Sequence, residues 1–235
     1  MHPMGEIHSD PFSRRAVTRL VLASGNAGKL AELRALLDGT GAALVAQSEL
    51  GVADVEETGL TFVENALLKA RHAAQATGLP ALADDSGLCV DALGGAPGLY
   101  SARYAGGHGD SAANIARLLR ELDGLNPQWR TAHFYAVIVL LRHAGDPQPL
   151  VAEGVWPGVI LDAPCGSGGF GYDPVFLDTE HGLSAAELEP ALKNRISHRG
   201  RALAQLRARL PAALAALREP DRTSTASVAG HGELR

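Results

Sequence analysis

The chain has 235 residues, enough for one substantial core or two small lobes, and 21 basic against 26 acidic residues leave a formal net charge of -5. That balance supplies no basic field to concentrate a polyanion, so nucleic acid is disfavoured as the main partner. There is no run of 18 uncharged apolar residues and no apolar core ahead of an N-terminal cleavage site, and Cys89 and Cys165 match no metal-ligand spacing. A cytoplasmic protein with reduced thiols and no membrane span is expected.

Residues 1–16 mix charge with His and Pro breaks and read as a flexible N-terminal extension, so a single domain is expected over 17–218. Thr18 to Ala23 is a short apolar strand, after which Gly25 releases the chain into a helix with Leu30, Leu33, Leu36 and Leu37 at helical spacing. Leu44 to Ala46 suggests a second strand, followed by an acidic loop through Asp54, Glu56 and Glu57. Thr61 and Glu64 stand in the capping-box relation, which predicts a helix to Thr77, ended by Gly78 and Pro80. Ala81 to Ala83 reads as a short buried strand that ends on Asp84 and Asp85, and Ala92 to Gly109 as a long shaped loop. Ser111 to Leu122 returns to helix, Thr131 to Leu141 is the strongest strand pattern, and Leu150 to Gly154 is its antiparallel partner. The Gly- and Pro-rich stretch from Trp156 to Pro174 predicts irregular structure; a helix follows over Arg201 to Leu210 and on through Ala212 to Arg218. Residues 219–235 are small, polar and aperiodic and read as a disordered tail. The pattern is α/β with a mixed sheet.

Four polar clusters interrupt this apolar pattern, and one helix adds a pair of polar residues. Ser24-Gly25-Asn26-Ala27-Gly28-Lys29 opens a helix, where free N–H groups attract an anion and a lysine in the first turn welcomes a phosphate; an ordinary cap with a solvated lysine fits the spacing as well. Asn65 and Lys69 are four apart and share a helix face, toward a ligand or toward solvent. Asp84 and Asp85, adjacent carboxylates after a buried strand, repel each other unless a cation or a shared proton compensates. A hard ion such as magnesium takes oxygen ligands beside substrate phosphates, and Glu56 or Glu57 would complete its shell. Gly168-Gly169-Phe170-Gly171-Tyr172-Asp173-Pro174 presents a Gly-flanked aromatic to a flat base. Ser197-His198-Arg199, four residues after Lys193 and just before a helix, offers directional donors for a base edge, or simply decorates a surface.

Taken in order from about Arg19 to Leu210, these blocks closely resemble the non-canonical purine nucleoside triphosphate pyrophosphatases, the Ham1-like inosine/xanthosine triphosphatases. The match includes Glu56-Glu57-Thr58-Gly59, Thr61 to Ala66, Lys69-Ala70, Ala83 to Leu88, Gly94 to Gly98 and Ser101 to Tyr104, besides the clusters above. The resemblance implies an elongated mixed sheet flanked by helices, two lobes with a central nucleotide cleft, and a homodimer. It implies magnesium-dependent hydrolysis of ITP, dITP and XTP to the monophosphate and pyrophosphate. Carried over, Ser24 to Lys29 (Gly25, Asn26, Ala27 and Gly28 between them) and Lys69 hold phosphates, with Ser86 near the catalytic loop. Asp85 is the proton acceptor and a metal ligand, and Glu57 is the second metal ligand. Phe170 stacks on the base, while Gly171, Tyr172, Asp173, Lys193, His198 and Arg199 shape its pocket. A pyrophosphatase for other modified nucleotides and a non-catalytic nucleotide sensor are the alternatives; the first would lose the purine grip and the second the intact Asp85.

Overall fold

The structure, a computed structural model, describes residues 17–24, 27–107 and 109–218. The expectations for 1–16, for 219–235 and for Gly25 and Asn26 lie outside the described residues. Among these, seven strands form one sheet in the order β2-β1-β3-β4-β5-β6-β7. The strands are β1 (Thr18–Leu22), β2 (Ala42–Ala46), β3 (Ala81–Val90), β4 (Thr131–Leu141), β5 (Leu150–Ile160), β6 (Phe176–Asp178) and β7 (Leu183–Ser184). The helices are α1 (Ala27–Leu37), α2 (Phe62–Thr77), α3 (Ser111–Glu121), α4 (Pro190–Ile196) and α5 (His198–Arg218). β1 pairs in parallel with β2 and β3, and every later pairing is antiparallel, so the sheet is mixed as the pattern requires.

Strand alternation divides the core between two faces. Leu20, Leu22, Leu82 and Ile138 pack with Leu33 and Leu37 of α1 and Leu206 and Leu210 of α5. Val21, Ala83, Val137 and Val139 point the other way, into the small-residue stripe Ala66, Ala70, Ala73 and Ala74 of α2. The β1–α1–β2 unit thus lies on one face and α2, which leads to β3 on the other side of β1, lies on the opposite face. The crevice at the carboxyl ends of β1 and β3 is therefore a topological switch point, the place where open α/β sheets bind ligands.

α2 begins as its sequence dictates: Thr61 Oγ1 accepts from the Glu64 amide at 3.2 Å, Glu64 accepts from the Leu60 amide at 2.8 Å, and Gly78 ends the helix in the left-handed region. A third core, around Leu88, Phe134, Trp156 and Phe176 with Leu118 of α3, continues the α1/α5 side toward β7. On the α2 side of the same half, Phe62 and the turn that carries Gly98 and Ser101 cover β3 at Gly87, whereas β5 is left uncovered at Val155, which is 44% exposed.

Four expectations are corrected. β3 does not stop at Ala83 but runs to Val90, because the long β4 pairs with it from Leu141 to Ala132; what ends beside the two aspartates is β1. β5 passes Gly154 to reach Ile160, crossing Pro157. The outer edge of β5 carries no neighbouring strand there: Arg201 and Arg209 donate to the Val155 and Val151 carbonyls, and the Glu153 amide donates to Gln205. Pro157 shares the parity of those outward-facing residues, so its missing N–H breaks no rung with β4. The stretch from Ala92 to Gly109 is not loop throughout but holds a 3-10 turn over Gly98–Arg103. Finally, α5 is one helix that already contains His198 and Arg199, while α4, β6 and β7 carried too few residues to register as patterns.

Candidate active site

Asp84 and Asp85 occupy consecutive positions of β3 opposite Ile138 and Val137, so their side chains leave the sheet on opposite faces. Asp84 is 2% exposed and sits on the α1/α5 side. Lys29, in the first turn of α1, and Arg199, in the first turn of α5, each approach its Oδ2 at 2.8 Å. Burial by itself would push this carboxyl up, but the two cations outweigh it and hold Asp84 below its ordinary value. Arg199 also pairs through Nε with Glu32, one turn beyond Lys29 on α1. Asp84 Oδ1 and Arg199 Nη2 are buried with no hydrogen-bond partner among the described residues.

Asp85 faces α2. Burial raises its carboxyl above the ordinary value and the nearby Glu57 adds to the rise, against the pull of Lys69. Lys69 places Nζ 2.7 Å from Glu57 Oε1 and 3.5 Å from Asp85 Oδ1, so one ammonium is shared by both carboxylates. One turn earlier on the same helix face, Asn65 hydrogen-bonds Asp85, and its Oδ1 accepts from the Gly59 amide at 2.8 Å, tying the acidic loop to the catalytic strand. Asn65 is buried rather than coating a surface, as four-residue spacing on an inward face allows. The Ser86 amide donates to Asp85 Oδ1 at 3.1 Å.

A cavity of about 350 Å³ opens between these groups, lined among others by Ser24, Lys29, Glu57, Lys69 and Asp84. Ala27 and Gly28 begin α1, ahead of Lys29, which lines the cavity. Among the described residues no group of three or more His, Cys, Asp or Glu is placed to hold a metal ion. The donor set is two carboxylates, Glu57 and Asp85, converging on the single positive charge of Lys69. Two hard oxygen donors fit magnesium, which commonly takes one or two carboxylates and fills its remaining positions with water and phosphate oxygens.

The recognition residues form a second group. Gly154 accounts for the seat of His198: a side chain at 154 would strike the His198 carbonyl, so only glycine lets the first turn of α5 lie on β5. The His198 ring stacks on Phe134, centroids 4.8 Å apart and 14° from parallel. Burial, with Arg199 and Lys193 nearby, pulls its pKa down to about 3, so the ring is neutral, and its buried Nδ1 has no partner among the described residues. Phe170 is 78% exposed, with Lys193 Nζ 5.0 Å from its ring centroid. Asp173 orders this turn: it pairs with Lys193 and accepts from the Phe170 amide at 2.6 Å. Gly169 adopts a positive φ of 73°, and any side chain there would strike the Asp173 carboxylate. Tyr172 is buried, its hydroxyl donating to the Ser101 carbonyl at 2.9 Å, so it anchors the turn from below. Gly171, at φ 59°, completes the turn between them.

Of the expected residues, the structure brings Lys29, Lys69, Glu57 and Ser24 to one cavity, with Asp85 3.5 Å behind Lys69 and Ser86 next to Asp85. Phe170, Asp173 and Lys193 gather at the other group. Arg199 links the two regions, its neighbour His198 on Phe134 and its guanidinium on Asp84. Glu32 was not singled out, although its place three residues after Lys29 puts both on one helical face. Asp54, read in the sequence only as part of the acidic loop, and Gln47, which carried no signal, also line the cavity; the 3-10 turn after β2 and the loop that follows bring them there.

Residues 20–209 match the model of the Ham1 family. The chain belongs to the Ham1 family. Among its Ham1 relatives, a dITP/XTP pyrophosphatase of Xanthomonas campestris is 69% identical over 193 residues, covering 82% of this chain and 97% of that protein. One from Shigella flexneri is 59% identical over 185 residues, covering 79% and 94%. The solved HAM1 protein of Coxiella burnetii superposes with a TM-score of 0.80 at 51% identity, over 82% of this chain and all but 2% of the other, which it covers to 98%. The Ham1 protein of Staphylococcus aureus gives 0.77 at 40% identity, covering 83% and 100%. The Ham1 fold is thus the mixed sheet flanked by helices described above.

Proposed function

We propose that the protein hydrolyses non-canonical purine nucleoside triphosphates, ITP, dITP and XTP, to the nucleoside monophosphate and pyrophosphate. The observation that carries this reading is the sharing of Lys69 by Glu57 and Asp85 at the mouth of a cavity that Lys29 enters from the opposite face of the sheet. The names of the Xanthomonas and Shigella relatives support the substrate class.

The two aspartates divide the work because their surroundings separate their pKa values, the pattern by which acid and base roles are assigned. Asp84, held ionised by Lys29 and Arg199, organises the cations. Asp85, raised by burial, is the better proton acceptor. It takes a proton from a water as that oxygen bonds to the α-phosphorus. The bond from the α-phosphorus to the bridging oxygen breaks, and pyrophosphate leaves with the electron pair, its charge met by Lys29 and Lys69. Glu57 and Asp85 would hold a magnesium ion, which supplies charge neutralisation on the phosphate oxygens.

Phe170 offers its exposed ring to the base. Arg199 Nη2 and His198 Nδ1, both without a partner among the described residues, are polar atoms for a purine edge. A 6-keto oxygen accepts from such donors, whereas the 6-amino group of adenine presents a donor to them, a mismatch that costs on the order of 1–3 kcal/mol per group. A homodimer is the proposed assembly, joined through the face of β5 left uncovered at Val155. Among the described residues no helix is long and apolar enough to cross a membrane. Pyrophosphate release measured across ITP, dITP, XTP, GTP and ATP with magnesium tests the reading: monophosphate and pyrophosphate should appear in equal amounts. Inosine diphosphate and orthophosphate as first products would refute it.

A further inference from the structure

In the cavity Lys29 pairs with Asp84 and Lys69 with Glu57, and a third carboxylate, Asp54, stands on the side of β2. β2, β1 and β3 are adjacent and parallel, and the register sets Ala46, Leu22 and Leu82 side by side, so the carboxyl ends of β2 and β1 form a row with the Asp84 level of β3, successive strands about 5 Å apart. Asp84 lies on β3, Ser24 follows β1, and Gln47 follows β2; all three line the cavity. A linear polyphosphate that starts at the aspartates and passes the lysines therefore runs toward Gln47. Beside Gln47 stands Asp54, an anion in the wall of a cavity suited to anions.

Its position is built. Gln47 is 4% exposed and donates from Nε2 to Asp54 Oδ1 at 2.5 Å. The Gln47 carbonyl accepts from the Val52 amide at 3.0 Å, so one buried residue ties both ends of the turn that carries Asp54. The His72 ring lies 3.0 Å from the Ala53 carbonyl and fastens the same turn to α2. Asp54 also sets the orientation of the amide, because a carboxylate accepts from its NH₂ and repels its oxygen. The second N–H of Gln47 is then left for a phosphate oxygen.

We infer that Gln47 and Asp54 form an end wall that selects phosphate-chain length: Gln47 donates to the terminal phosphate of a triphosphate, and Asp54 repels any phosphate beyond it. The inference rests on the triphosphate-hydrolysing function proposed above and adds its length selectivity. Without a wall, each added phosphate would tighten binding by bringing more negative charge to the same two lysines. With it, the gain stops at three.

Isothermal titration with inorganic pyrophosphate, tripolyphosphate and tetrapolyphosphate in magnesium buffer at low ionic strength reads the wall directly. Affinity for the unaltered protein should rise from two phosphates to three and fall about 5- to 10-fold from three to four. Added salt should shrink that fall, since Asp54 borders solvent. Asp54→Asn, which keeps an acceptor for Gln47, should abolish the fall, and the kcat/KM ratio of inosine tetraphosphate to ITP should rise by the same factor. Tighter binding of tetrapolyphosphate than of tripolyphosphate by the unaltered protein would overturn the inference, as would a preference unchanged in a folded Asp54→Asn. The unaltered series decides the matter even if that variant does not fold. A protein that fails to hydrolyse ITP yet shows the three-to-four drop would refute the proposed reaction and leave the wall standing.

Discussion

Asp84 and Asp85 are consecutive in the chain, yet they project to opposite faces of β3, one toward Lys29 and Arg199 and the other toward Lys69. The first carboxyl is pushed below its ordinary value and the second above it. Adjacent carboxylates on one face would oppose each other's ionisation; here the sheet stands between them and each has its own cations.

Replacing either acid should separate these roles. Asp85→Asn is expected to lower kcat by roughly 10²-fold or more while leaving the unfolding transition near that of the unaltered protein. Asp84→Asn removes the buried carboxylate that Lys29 and Arg199 share while Arg199 keeps Glu32, so urea unfolding should show a loss of about 1–3 kcal/mol. Near-normal turnover by Asp85→Asn would move the base elsewhere, with Asp84 the first candidate.

Arg199→Ala tests base reading. Its Nη2 has no partner among the described residues, so the variant should lose about 10- to 10²-fold in kcat/KM for ITP, corresponding to roughly 1.5–3 kcal/mol for hydrogen bonds from a charged group. The loss for ATP should be smaller, narrowing the ITP/ATP preference. Equal proportional losses would assign Arg199 to the support of Asp84 alone.

His198 makes stability depend on pH. Its folded pKa of about 3 lies below the ordinary 6.5, so between these values the unfolded chain binds more protons and stability falls as pH falls. The contribution is fully present above about pH 6.5 and largely lost by pH 3. Between pH 7.5 and 5.5 the change amounts to about 1.4 kcal/mol. His198→Phe should lack this component in paired urea titrations, and an identical pH dependence in variant and parent would show that the ring is not buried neutral.

Self-association through the uncovered face of β5 predicts a particle of twice the chain mass in light scattering. Val155→Glu, at an exposed β5 position on that face, should shift it toward the single chain without loss of secondary structure. A monomer at micromolar concentration, or a dimer untouched by Val155→Glu, would contradict the proposed interface.

Local rules explain why some of this was legible beforehand. The Thr61–Glu64 cap, the Gly78 stop and the uninterrupted apolar run from Thr131 to Leu141 each depend on residues within one element, so the boundaries of α2 and β4 follow from the chain alone. The motifs in order also sufficed to indicate the family, because short polar clusters between apolar elements are sequence features in themselves. What the chain alone could not determine was which groups meet. β3 continues through two aspartates only because β4 pairs along its whole length, and Asp84 is neutralised by Arg199 from 115 positions away. Gln47 and Asp54 reach the phosphate row because β2 lies beside β1 in the sheet. Pairing register, side-chain face and long-range charge contact are set by packing between elements, and in this protein that packing decided the division of labour within the site.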